Sequence, residues 1–122
     1  MKAQKNWIEA GLEDKSLFTP VEESGVTFYI LSRKPAPVQE NFYFTNDPWS
    51  GDGRYLWFYC AFPPALTRTL GVVDFKEGKV RHFPETQFGA ASPFVDKATG
   101  EVYWGLDKNL WKRGPGENEE VE

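Results

Sequence analysis

From Tyr55 to Phe62 the chain is apolar at every position, Tyr-Leu-Trp-Phe-Tyr-Cys-Ala-Phe, with no alternation of polar and apolar residues. A strand wetted on one side would alternate, so this run predicts a strand buried on both faces. Thr69-Leu70-Gly71-Val72-Val73-Asp74-Phe75 has the same character, and the turn Lys76-Glu77-Gly78-Lys79 leads on to Val80-Arg81-His82-Phe83. Ahead of the run, Phe42-Tyr43-Phe44-Thr45 reads as a strand, and Ser50-Gly51-Asp52-Gly53 as a turn with two residues free to take positive φ. Residues 42–84 thus predict one four-stranded antiparallel sheet, covered front and back.

Upstream, Phe18-Thr19-Pro20 and Val26-Thr27-Phe28-Tyr29-Ile30-Leu31 flank the turn Glu22-Glu23-Ser24-Gly25 and predict a hairpin within 18–33. Lys34-Pro35-Ala36-Pro37 ends it, because proline cannot enter the interior of a ladder. Residues 1–17 form an N-terminal extension with little periodicity. Trp7, Ile8 and Leu12 suit one face of a short helical turn, and Gly11 argues against a long one.

The sheet pattern then restarts at Ser92-Pro93-Phe94-Val95-Asp96-Lys97-Ala98-Thr99-Gly100-Glu101-Val102-Tyr103-Trp104. Gly53 and Gly100 stand 47 positions apart, and Trp49 and Phe94 stand 45 apart. This spacing sets Trp49, Trp57, Trp104 and Trp111 at equivalent strand positions. A period of roughly 40–50 residues belongs to a four-stranded propeller blade. The second unit, 88–122, has strands near Ser92–Val95, Glu101–Gly105 and Asn109–Lys112, with a fourth expected to begin at Val121. The fold class predicted is all-β: a β-propeller fragment with a closing hairpin or strand, blade 1 over 42–84 and an incomplete blade 2. Blades cannot bury both faces alone, and about three repeats are needed for stability. The remaining blades are expected from a longer chain or from other copies. A stand-alone β-sandwich is the third arrangement, opposed by the restart at Ser92.

Composition supports short strands: aromatics reach 16%, while Gly (11) and Pro (9) are scattered singly. The net charge of −4, with no basic stripe, excludes a nucleic-acid partner. No apolar run approaches the ~20 residues a membrane span needs. Met1-Lys2-Ala3-Gln4-Lys5-Asn6 starts like a secretory signal but lacks the apolar segment, so a cytoplasmic location is expected. Cys60, the single cysteine, excludes an internal disulfide and reads as a core thiol. His82, the single histidine, reads as a partly exposed structural residue at the end of an outer strand. Asp52, Asp74 and Asp96 stand 22 residues apart, too dispersed for a calcium loop, and read as turn or cap residues.

Asn41-Phe42-Tyr43-Phe44-Thr45-Asn46-Asp47-Pro48-Trp49 followed by Gly53-Arg54-Tyr55-Leu56-Trp57-Phe58 resembles the first-blade signature of oligogalacturonate lyases. Phe18-Thr19-Pro20 with Ser24–Leu31 resembles that family's N-terminal strand, which closes the ring against the last blade. The likeness covers most of 18–113. It implies a seven-bladed parent that cleaves uronic-acid oligosaccharides by β-elimination, with manganese or another divalent metal held by His and Gln side chains of later blades. No cofactor, catalytic residue or metal ligand is thereby assigned within this chain. Family members often carry histidines just before the Tyr-Phe-Thr-Asn element, where this chain has Val38-Gln39-Glu40-Asn41. Elimination needs a base for the proton α to the carboxylate and a cation for the charge that develops. One histidine with no cluster around it predicts no catalysis by this chain alone.

The candidates for substrate contact are Arg33, Gln39, Asn41, Tyr43, Trp49 and Arg68. Gln39 and Asn41 lie in the segment where the family often has histidines and can still touch substrate, without taking over the histidines' role. Tyr43 and Trp49 are placed to stack on a sugar ring, although packing between blades explains the tryptophans as well. Arg33 and Arg68 can clamp a carboxylate through a planar guanidinium, although a solvated surface arginine is the simpler reading of either. Two functions follow: the N-terminal part of a lyase-like, carbohydrate-active propeller, or a non-catalytic propeller platform that binds protein or oligosaccharide.

Overall fold

The computed structural model describes residues 7–43, 45–65, 67–88, 92–117 and 121. The charged start 1–6, Phe44 of the expected strand, Leu66, 89–91 and the acidic tail residues 118–120 and 122 lie outside the described residues. Among the described residues the structure is all-β and antiparallel apart from one short helix, α1 (Trp7–Leu12). Trp7 and Leu12 turn toward the interior. Gly11 lies against the Phe75 ring with no room for a Cβ, which lets the helix sit directly on the sheet.

Strands β1 (Phe18–Glu23) and β2 (Val26–Leu31) form the expected hairpin. Their two-residue turn, Ser24 at φ 53° and Gly25 at φ 80°, has the left-handed pair that a tight hairpin requires. The central sheet has the order β3-β4-β5-β6: β3 (Val38–Glu40), β4 (Tyr55–Ala61), β5 (Arg68–Asp74) and β6 (Lys79–Phe88). β4 is buried on both faces, as its unbroken apolar run predicts. Trp57 and Tyr59 point into one core and Phe58 and Cys60 into another.

The sheet's first strand is Val38–Glu40, not Phe42–Thr45. Phe42 leaves the ladder to pack on the Tyr59 ring, with centroids 4.8 Å apart, and the chain returns to the sheet only at Trp49, through a single bridge to Leu56. The last strand runs past Phe83 to Phe88. A register shift between Arg68 and Leu70 absorbs Pro84, and the Thr86 hydroxyl accepts the Leu70 N–H at 2.8 Å in place of a ladder carbonyl.

A third sheet, β7 (Phe94–Val95), β8 (Val102–Leu106) and β9 (Asn109–Arg113), stacks on the second. Trp57 Nε1–H donates to the Gly100 carbonyl at 2.9 Å, the Gly51 N–H to Lys97 O at 2.8 Å, and Asn46 Nδ2 to Pro93 O at 2.7 Å. Val121 lies against the same core, and the residues around it, where a fourth strand is expected, lie outside the described residues.

The two sheets repeat at 46 residues. Trp49 bridges Leu56 as Val95 pairs with Val102, and Ser50 N–H donates to Tyr55 O as Asp96 N–H donates to Glu101 O. Gly53 and Gly100 are not equivalent: Gly53 is fourth in its six-residue connection and Gly100 fifth. The expected equivalence of the tryptophans therefore fails. Trp57 corresponds to Tyr103, Phe58 to Trp104, and Leu70 to Leu110, since Tyr59 pairs Leu70 as Gly105 pairs Leu110.

The corrected register sets the direction of the stack. The central sheet offers its Trp57–Tyr59–Leu70 face to the Val102–Trp104 face of the third sheet. That second face corresponds to Leu56–Phe58 of the central sheet, which in turn faces α1 and the base of the hairpin. Every layer thus shows one face backward and the other forward. No helix among the described residues is long and apolar enough to cross a membrane.

Candidate binding groove

A groove of about 540 Å³ runs between the hairpin base and the central sheet. Its floor is Leu56, Phe58 and Val73, which share one face because antiparallel partners and every second residue along a strand point the same way. Phe18, Ile30 and Leu31 form one wall. The other wall, Lys34 and Pro37 to Asn41, is polar: an ammonium, a carboxylate and two amides around an apolar floor. Gln39 pairs with Cys60 and so faces the groove, and its Oε1 is buried without a hydrogen-bond partner. A buried acceptor left unmet costs about 1–3 kcal/mol, which a ligand hydroxyl or N–H would recover. The volume lies within the ordinary range for small-molecule sites.

The six candidates do not gather in one place. Gln39 and Asn41 line the groove, and Arg33 lies in a neighbouring recess of about 280 Å³ with Lys34, Pro35 and Val80. Trp49 is half-buried against Phe75, with centroids 5.4 Å apart, and serves the core. Tyr43 is exposed on the connection after β3. Arg68 lies over the Tyr59 ring at 5.2 Å, on the opposite face of the sheet from Gln39. Lys34 escaped sequence reading because Lys34-Pro35-Ala36-Pro37 signals only the end of a strand. Its place on the rim depends on the chain turning back beside β4.

The polar residues with the densest bonding lie elsewhere and are structural. Asp74 is fully buried and accepts from Arg54 Nε and Nη2 at 3.1 Å each, from Arg81 Nη1 at 3.0 Å, and from the N–H groups of Lys76 and Glu77. Burial pushes its carboxyl upward. The bonds from Arg54, the Glu77 N–H and Arg81 outweigh this and hold it below the usual carboxylate range. Asp52 and Asp96 likewise accept backbone N–H groups in their own turns, as their positions predict. Arg113, itself buried, donates to Glu85 and to the Gly114 and Gly116 carbonyls, and lies 3.5 Å from the Phe83 ring centroid.

His82 Nε2 is 2.9 Å from Thr69 Oγ1 and its ring packs on Phe62. Burial lowers its pKa, and the Glu85 carboxylate opposes this in part. Burial also pushes the Cys60 thiol up to about 12, so it stays protonated and inert as a core residue. Among the described residues no three His, Cys, Asp or Glu side chains come together as a metal site. The single unmet oxygen of Gln39 does not make the convergent donor set that manganese requires, so no chemical step through a metal is derived for this chain.

Comparison with family models, with curated proteins and with solved structures returns no match to this chain.

Proposed function

We propose that this chain forms the opening layers of a carbohydrate-active β-propeller of the oligogalacturonate lyase kind, and that its groove holds one uronic-acid unit of an oligosaccharide. One observation carries the reading: two sheets stack front to back at a 46-residue repeat, the relation between consecutive blades. The groove chemistry agrees with an acidic sugar. An apolar floor accepts the C–H face of a pyranose, Gln39 Oε1 accepts a ring hydroxyl, and Lys34 pairs with the carboxylate. In this role the chain binds and orients; the base and the cation for elimination come from other blades.

Calorimetric titration tests it. Galacturonate oligomers should bind at least about tenfold more tightly than their neutral methyl esters, one charge-assisted contact being worth 1.5–3 kcal/mol. Lys34→Ala should abolish the difference. Equal affinity for both ligands, or no binding of either, would count against the sugar reading. Assembled with its remaining blades, the protein should release unsaturated uronate product in a manganese-dependent absorbance assay.

The second reading is a non-catalytic platform. It is favoured by the division of the candidates between the two faces of the central sheet, with Gln39 on one and Arg68 on the other. Binding without any unsaturated product from the assembled protein would select it.

A further inference from the structure

The stack has two open ends. At the front, the outer face of the third sheet carries Phe94 (62% exposed), Leu110 (73% exposed), Tyr103 and Gly105, bordered by Lys112, which pairs Tyr103 and bonds Glu101 at 3.4 Å. These side chains share one face, because Phe94 pairs Tyr103 and Gly105 pairs Leu110. At the back, the β1–β2 ribbon is anchored only at its base, where Phe18 is buried and Leu31 half-buried. Its opposite face carries Val21, Val26, Phe28 and Ile30, between 41% and 54% exposed. A two-stranded ribbon so exposed is marginal in water without a partner layer.

The molecule contains its own precedent for what covers the front end. Leu110 occupies the position held in the central sheet by Leu70, which is fully buried under the third sheet. The forward face of one layer is therefore a seat for another apolar β-layer, already used once within the chain, and the open end continues that interface. The footprints also agree. The five-residue strands β8 and β9 span roughly 10 by 17 Å, with the two-residue β7 beside them, and the six-residue ribbon spans roughly 10 by 20 Å. Closing one on the other overlaps roughly 10 by 17 Å and buries on the order of several hundred Å² in total, the size of a weak contact.

We propose that the front face of the third sheet docks the hairpin ribbon of a second copy of this chain, head to tail. The contact is heterologous: each copy uses its front once and its back once, so copies add in series and close into a ring if the rotation allows. Such a ring would supply the neighbouring layers that the blade reading requires, and the proposal rests on that layered reading; a ring of copies alone, with one histidine in each, goes with the non-catalytic platform rather than with elimination. An interface this small predicts association that depends on concentration.

Sedimentation velocity on the full chain over a concentration series tests it, together with two exposed substitutions, Leu110→Asp and Phe28→Asp. Each places an unpaired carboxylate in the contact and should weaken self-association about a hundredfold or more. Mixing the two variants is decisive. The Phe28→Asp copy keeps an intact front and the Leu110→Asp copy an intact ribbon, so one contact survives and a heterodimer of twice 14.0 kDa should form. A monomeric wild-type chain at all concentrations, a single variant that still self-associates, or a mixture that stays monomeric would each overturn the proposal. Exchange protection of the Trp57 indole N–H, read in the same samples, reports the stacking of the sheets separately. A monomer with a protected indole removes the association alone, whereas an unprotected indole removes the blade reading as well.

Discussion

Asp74 contributes more than its place before the Lys76–Lys79 turn suggests. It caps the turn through the Lys76 and Glu77 N–H groups and neutralises two arginines from neighbouring segments. Asp74→Asn should cost about 2–4 kcal/mol in chemical denaturation, toward the lower figure because Arg54 still reaches water. The acid limb of stability should change too. Because the folded carboxyl titrates below its unfolded value of 3.8, its contribution is complete above that pH and is lost as pH falls through the folded value. Asp74→Asn should flatten this limb. His82 acts in a higher window. Its folded pKa lies below 6.5, so the unfolded chain binds the extra proton first and stability falls as pH drops through 6.5 toward the folded value. Thermal unfolding of His82→Gln across that range should lose the slope. The turn role of Asp74 was legible from its position at the strand end before the Lys76–Lys79 turn. Its two arginine partners were not, because pairing across strands depends on register.

Among the elements, β4 was the most legible and β3 the least. An apolar run of that length with no alternation has one stable environment, between two layers, and β4 occupies it. Phe42-Tyr43-Phe44-Thr45 is richer in β-formers than Val38-Gln39-Glu40, yet the poorer segment takes the ladder. Burying Phe42 against Tyr59 in the core outweighs local propensity, which is worth only about 1 kcal/mol across its whole scale. Gly71 shows the same dominance of packing on β5. A Cβ there would lie 2.6 Å from Phe58 Cζ and 3.1 Å from Cys60 Sγ, so Gly71→Ala should destabilise by about 1–3 kcal/mol, measured by denaturant midpoint. An interior glycine reads from sequence as a weak point in a strand. Here it is the space into which the Phe58 ring fits.

At the scale of the molecule, the sheets are joined by apolar contact and by several polar links, of which the Trp57 indole bonded to the Gly100 carbonyl is buried. Trp57→Phe keeps most of the ring and leaves that buried carbonyl unmet, at about 1–3 kcal/mol. Hydrogen exchange should find β8 loosened ahead of β4 in that variant. The apolar runs, turn glycines and restart at Ser92 by themselves determined the all-β class, the hairpin, the doubly buried strand and the presence of a repeat. Only the tertiary structure decided the period. Two connections of equal length place their glycines at different positions, and a shift of one residue exchanges the faces of a strand. The same parity separated Gln39 from Arg68 and brought Lys34, a residue with no sequence signal, to the rim of the groove. Periodicity along a chain records how each residue is buried; which residues share a face, and with what, is set by register between strands that no local pattern encodes.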